Sequence, residues 1–120
     1  MDSSFRNEEK LFRAVYPPEK AELFWRFDGR VSSAAFADPN GLSVDRRGNR
    51  SIEQATSAIQ ERFTGKVVFV RVKNCTEIGA VVKYLPSNRN LYHSEIHGSE
   101  TAVLLSKSQR RHLADRAVIV

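Results

Sequence analysis

The spacing of apolar residues changes several times along this chain, and each change predicts an element. Lys10-Leu11-Phe12-Arg13-Ala14-Val15-Tyr16 is a short apolar run stopped by Pro17-Pro18, which predicts a first strand with Arg13 set inside it. Glu19 to Trp25 carries Ala21, Leu23, Phe24 and Trp25 and predicts a short helix, followed by a turn at Asp28-Gly29. Val31 to Phe36 and Gly41 to Asp45 read as two short strands joined by Asp38-Pro39-Asn40-Gly41, a run of turn formers. The period then lengthens. Ile52, Ala55, Ile59 and Phe63 recur at helical spacing, Ser51 and Gln54 supply a capping box, and Gly65 is placed to end the helix.

Lys66 to Val72 is apolar at both parities and predicts a central strand buried on both faces. The second half of Thr76 to Leu85 predicts a strand ending at Pro86, the loop Pro86 to Asn90 leads into Tyr92 to Gly98, and Thr101 to Leu105 predicts one more strand. A last helix starts near Ser106, has Gln109 three residues on, and turns Leu113, Ala114 and Ala117 inward. The expected class is therefore α+β, with a mixed or mainly antiparallel sheet and two to three helices. One domain is expected over residues 10–120, after a flexible polar stretch at 1–9.

A chain of 120 residues can bury a single core without disulfides or structural metals. No apolar run approaches the roughly 20 residues of a membrane span. The first residues lack the apolar core of a secretory signal, so a cytoplasmic location without membrane contact is expected. The single cysteine, Cys75, has no partner within the chain and reads as a packed structural residue. The formal net charge is +5, with basic residues gathered at 46–50, around Arg71 and Lys73, and from Lys107 to Arg116. Such a surface favours contact with phosphate in a nucleotide or nucleic acid, or with an acidic protein. Lys107, Arg110 and Arg111 fall in the first turns of the last helix, where the helix dipole disfavours positive charge, so they are the expected nucleic-acid or partner contacts.

The segment Tyr92-His93-Ser94-Glu95-Ile96-His97-Gly98 is the strongest candidate for chemistry. On a strand, His93, Glu95 and His97 share one face while Ser94 and Ile96 point the other way. Two imidazoles beside a carboxylate are equipped for proton transfer or for orienting a substrate. The backbone positions of His93 and His97 would lie roughly 13 Å apart, too far to ligate one metal comfortably, and no other ligand spacing is present, so no metal site is expected. No cofactor is specified. Arg13 is the second candidate, because its planar fork suits phosphate or carboxylate. Ser32 and Ser33, with Ser43 and Asp45 across the turn, offer hydroxyls to a ribose or phosphate, and no histidine spacing marks a nucleophilic triad. Each group also has a structural explanation: Glu95 paired with a basic residue, Arg13 reaching solvent from an edge strand, and serines serving turns.

Leu11-Phe12-Arg13-Ala14-Val15, Ser33-Ala34-Ala35-Phe36, Gly41-Leu42-Ser43-Val44-Asp45, Asn90-Leu91-Tyr92-His93-Ser94-Glu95-Ile96 and Ser106 through Ala114 together resemble a group of short, uncharacterised bacterial proteins. Leu91 stands where that group often has Pro. The resemblance implies a prokaryotic defence or toxin-antitoxin setting and no particular activity. A looser resemblance is to ADP-ribosyltransferase-like folds of the Arg-Ser-Glu type, which bind and cleave NAD. It rests on Arg13, Ser32 or Ser33, and Glu95 occurring in that order, with Glu100 competing for the glutamate's place.

Two functional expectations follow. One is a small enzyme-like domain acting on a nucleotide or nucleic acid, with Arg13 holding phosphate and His93, Glu95 and His97 moving or orienting a proton. The other is a non-catalytic module that binds a protein or nucleic acid through its basic C-terminal helix. Convergence of Arg13 and Glu95 in one cleft separates them, because catalysis needs converging groups.

Overall fold

Apolar alternation and β-branched content make strands of Lys10–Val15 (β1), Leu42–Arg46 (β2), Lys66–Arg71 (β3), Val81–Tyr84 (β4), His93–His97 (β5) and the short Val118–Ile119 (β6). In the computed structural model, which describes residues 1–120, they form one six-stranded sheet of order β4-β5-β2-β1-β3-β6, every pair antiparallel. The helices are α1 (Ile52–Gln60), α2 (Val72–Thr76) and α3 (Lys107–Arg116), with 3-10 turns at Glu22–Phe24 and Ser33–Phe36. The chain is a single α+β domain, and no helix is long and apolar enough to cross a membrane.

Alternation assigns the two faces. Leu11, Val15, Leu42, Val44, Val68, Val70, Val82 and Ile96 point to the first face and meet Ala35, Phe36, Leu113 and Ala114 in the main core. On the second face Phe12, Val67 and Phe69 meet Ala55 and Ile59 of α1 in a smaller core. Each fully buried large side chain here contributes about 1.5–3 kcal/mol. α1 packs on β1 and β3 and leaves the β2–β5–β4 half of that face largely to polar side chains, Val81 excepted. That asymmetry positions the site.

Both capping boxes form, Ser51 with Gln54 and Ser106 with Gln109. Gln109 does more, since its Nε2 donates to the Ile78 carbonyl (3.1 Å) and the Gly98 carbonyl (2.8 Å), tying α3 to two loops. Residues 1–9 lie along the protein: Phe5 meets the Tyr84 ring edge-on at 6.4 Å, and Ser4 and Glu9 both bind Arg46.

Several elements differ from expectation. Val31 to Phe36 is no strand: only Val31 bridges to Trp25, and the small residues after it coil into the 3-10 turn that packs on α3. Glu19 to Trp25 yields only a 3-10 turn. Thr101 to Leu105 is a loop, because the Ser99 hydroxyl accepts the Thr101 and Ala102 N–H groups and folds that stretch on itself. β3 lies next to the sheet edge, and its double-sided burial comes from the two cores rather than from a central position. The short α2 follows it directly, helped by Asn74 Oδ1 accepting the Arg71 N–H at 2.7 Å. α1 ends at Gln60, so Phe63 leaves helical phase and is half exposed. Gly65, with φ +152°, serves a close approach to the Val15 carbonyl rather than a helix cap.

Candidate functional site

β1 and β2 are joined by two residue pairs, Leu11 with Arg46 and Phe12 with Asp45, and then part. Arg13 fills the opening. Its Nη1 donates to the Ser43 carbonyl at 2.8 Å, where the parting strands no longer make ladder bonds, and its Nε donates to the Ala35 carbonyl of the 3-10 turn at 3.0 Å. Burial pulls the Arg13 guanidinium below its ordinary value, opposed only by the more distant Asp38. None of the ion pairs in the protein includes Arg13.

Above this wedge lies a cleft of about 420 Å³, within the range of small-molecule sites. Phe12, Ala14 and Tyr16 of β1 and its extension, with Ile59, Arg62 and Phe63 at the end of α1, form one wall. Ser43, Asp45, Asn90 and His93 form the other. Asp45 is buried and held on both oxygens, by Arg62 Nη2 at 2.6 Å and by Asn90 Nδ2 at 2.9 Å. This bridge links α1 to the 86–90 loop across the cleft wall.

The β5 row is as the alternation requires. His93, Glu95 and His97 share the second face, while Ser94 and Ile96 are fully buried on the first. Glu95 reaches both imidazoles: His97 Nε2 lies 2.8 Å from Oε1 and His93 Nε2 lies 3.5 Å from Oε2. A side chain midway between two others spans the gap that keeps the imidazoles themselves apart. Side-chain exposure rises from 13% at His97 through 20% at Glu95 to 30% at His93, so the row opens toward the cleft at its His93 end. With Glu95 hydrogen-bonded to His97 and facing His93, the row can orient an imidazole toward the cleft for proton transfer or hold a substrate hydroxyl. No arginine pairs with Glu95.

The sequence-derived candidates thus separate into groups. Arg13 and His93 line the cleft, whereas Glu95 and His97 continue from His93 on the same strand face and lie outside the lining, so Arg13 converges with His93 and not directly with Glu95. Ser32 and Ser33 are not brought there: Ser32 Oγ donates to the Leu23 carbonyl at 2.6 Å, and Ser33 begins the 3-10 turn beneath α3. The serine that converges is Ser43, which sits on β2 opposite Glu95 and beside β1. Lys107, Arg110 and Arg111 lie on α3, which covers the first face, and form no ion pair. Glu100 is taken by the N-terminal ammonium at 3.3 Å and Lys83 at 3.6 Å, both of which hold its carboxyl below the usual range.

Sequence reasoning missed Arg62, Asn90, Tyr16 and Phe63 as lining residues, and underused Asp45. The shared parity of Ser43 and Asp45 was a usable signal for β2. Arg62 had none, because its place depends on where α1 stops. No group of three or more His, Cys, Asp or Glu side chains is arranged to hold a metal ion. Cys75 is buried away from this face and its thiol is pushed up to about 12, chiefly by burial. No family model, curated protein or solved structure matches this chain.

Proposed function

We propose that the cleft binds a phosphate-bearing ligand, a nucleotide or part of a nucleic acid, and that the His93–Glu95–His97 row does acid-base or orienting work on it. The observation that carries this reading is the state of Arg13. A half-buried guanidinium satisfied only by two backbone carbonyls, with no carboxylate, retains a net positive charge, and a charge partly withdrawn from water without a countercharge is costly. An anion entering the cleft would offset that cost using the donors that the carbonyls leave free. Tyr16 and Phe63, each half exposed on the same wall, offer ring faces to a base. Arg13, Ser43 and Glu95 on the adjacent strands β1, β2 and β5 also keep the order of an Arg-Ser-Glu arrangement, with Ser43 in the serine's place, which puts NAD among the ligands to try.

The test is thermal and calorimetric titration with ADP, NAD and adenosine. ADP or NAD should raise the melting temperature while adenosine does not, and Arg13→Lys should lose most of that effect. Absence of any response to phosphate-bearing ligands at low ionic strength would overturn the reading. For the acid-base part, Glu95→Gln should abolish turnover or biological activity with little change in melting temperature, since no arginine is left stranded.

One observation favours a binding module instead: Lys107, Arg110 and Arg111 crowd the positive end of α3 without an ion-pair partner. If α3 is the working surface, replacing all three by Ser weakens binding to an anionic partner and flattens its salt dependence, while Glu95→Gln leaves activity intact.

A further inference from the structure

β2 leads into Arg46-Arg47-Gly48-Asn49-Arg50 before α1 begins, and this loop is folded by arginine-to-carbonyl bonds. Arg47 Nε donates to the Arg50 carbonyl at 2.7 Å, and Arg50 donates back to the Arg47 carbonyl at 3.2 Å and to the Arg46 carbonyl at 2.8 Å. The Arg50 guanidinium lies 3.5 Å over the Tyr92 ring, and Gly48, at φ +62°, packs so that a Cβ there would come to 3.0 Å from that same ring. Arg46 is consumed by Glu9 and Arg62 by Asp45, whereas Arg47, Arg50 and Arg89 pair with no carboxylate. Glu53 on α1 and Glu61 just after it are exposed and form no ion pair with them. Arg50 is tied to the Arg46 carbonyl and the Tyr92 ring, the residues next in sequence to the lining residues Asp45 and His93, which places it beside the cleft wall. Arg89 is exposed and immediately precedes the lining residue Asn90.

Beside the cleft lining there are therefore three guanidinium groups without an acidic partner, Arg47 and Arg50 bonded to backbone carbonyls and Arg89 exposed. A free nucleotide bound against Arg13 would leave these groups unused. A strand that continues past the cleft would lay its next phosphates along them. The floor is a wedge between two parted strands, and the half-exposed rings of Tyr16 and Phe63 give an unpaired base a stacking surface. A duplex presents its bases already stacked and paired, and does not fit such a slot without extrusion of a nucleotide.

We infer that the ligand is single-stranded nucleic acid, with one nucleotide in the cleft against Arg13 and flanking phosphates on Arg47, Arg50 and Arg89. The inference rests on the reading of the cleft as a phosphate site and commits it to a substrate class. Fluorescence anisotropy with a labelled single strand of about ten nucleotides, inside the ~4–16 nucleotide span of comparable sites, compares the parent with the double variant Arg47→Ser/Arg89→Ser. The double variant should bind the strand about tenfold more weakly, with a log–log salt slope shallower by roughly 1.4, ~0.7 for each lost phosphate contact. Its ADP affinity should equal the parent's. Should that variant lose its fold, Arg89→Ser alone, an exposed loop position, carries the comparison.

ADP bound as tightly as the strand, with no effect of the double variant, would overturn the inference and leave the cleft reading standing. Equal affinity for duplex or for a poly-glutamate peptide would also overturn it. So would loss of strand binding on replacing Lys107, Arg110 and Arg111 by Ser with Arg47, Arg50 and Arg89 intact, which moves the contact to α3. Failure of both ADP and the strand to bind removes the inference and the cleft reading together.

Discussion

Gly41 lies directly under the carboxylate of Glu95. Its backbone sits at φ +103°, and a Cβ there would run into Glu95 Oε1 and come within 3.2 Å of His97 Nε2. The turn after Pro39 thus delivers bare backbone against the one acidic group of the β5 row. A glycine is required twice over, for its dihedral and for its missing side chain.

Gly41→Ala should accordingly cost about 1–3 kcal/mol of stability from backbone strain alone. It should also displace Glu95 and His97 from each other. Chemical denaturation measures the first effect, and imidazole proton shifts of His97 read the second. Ala at Gly29, where nothing lies near the position of a Cβ, tests dihedral strain without the contact and should leave those shifts in place.

Arg46 and Glu9 form the most enclosed ion pair of the protein, with side chains 9% and 10% exposed. The contact is bidentate at 2.9 and 2.8 Å, Ser4 Oγ takes a third donor at 2.8 Å, and the guanidinium lies 4.0 Å over Phe5 and 4.7 Å over Tyr84. The hydrogen bonding of Arg46 to the Glu9 carboxylate is the main reason the Arg46 guanidinium is raised above its ordinary value. Arg46→Ala leaves Glu9 enclosed without a countercharge and should cost about 3–5 kcal/mol. Replacing both by apolar residues of similar size should cost less than that single change. Urea denaturation of the two variants decides it, and limited proteolysis of residues 1–9 should report the release of the N-terminal segment.

The Asp45–Arg62 bridge should behave asymmetrically. Asp45 is 10% exposed and Arg62 38%, so Arg62→Ala strands a buried carboxylate with only Asn90 as donor, whereas Asp45→Asn lets Arg62 turn to water. Arg62→Ala should cost about 1.5–3 kcal/mol, the range for losing a hydrogen bond to a charged group, and Asp45→Asn clearly less. Equal losses in denaturant titrations would contradict this account of the cleft wall.

Cys75 gives the fold a dependence on alkaline pH. Its thiol ionises at about 12 in the folded chain against an ordinary 9.0, because burial disfavours the thiolate. The folded state binds the proton more tightly, so this stabilisation is complete below pH 9.0 and is lost as pH rises toward 12. At about 1.4 kcal/mol per unit, the loss approaches ~4 kcal/mol at the top of that window. Cys75→Ala removes the titration, so its stability should fall less steeply between pH 9 and 11 than the parent's. At neutral pH the parent thiol should stay unmodified by a thiol reagent until the protein is unfolded.

Local features were legible in the sequence wherever the physics is local. Both helix starts were set by Ser51 with Gln54 and Ser106 with Gln109, because a capping box closes within four residues. The common face of His93, Glu95 and His97 followed from the period of an extended backbone. The α+β class followed from the succession of periods. Segments of small or weakly patterned residues were misread, Val31 to Phe36 and Thr101 to Leu105 among them, since packing on α3 and the Ser99 turn outweighed their slight strand preference. What the tertiary structure alone decided is which strands are neighbours. Placing β2 between β1 and β5 sets Ser43 and Asp45 between Arg13 and Glu95, leaves Ser32 and Ser33 beneath α3, and makes a cleft where β1 and β2 part. Strand order is fixed by burying two faces at once against helices far apart in the chain, a condition on the whole fold that no run of neighbouring residues carries.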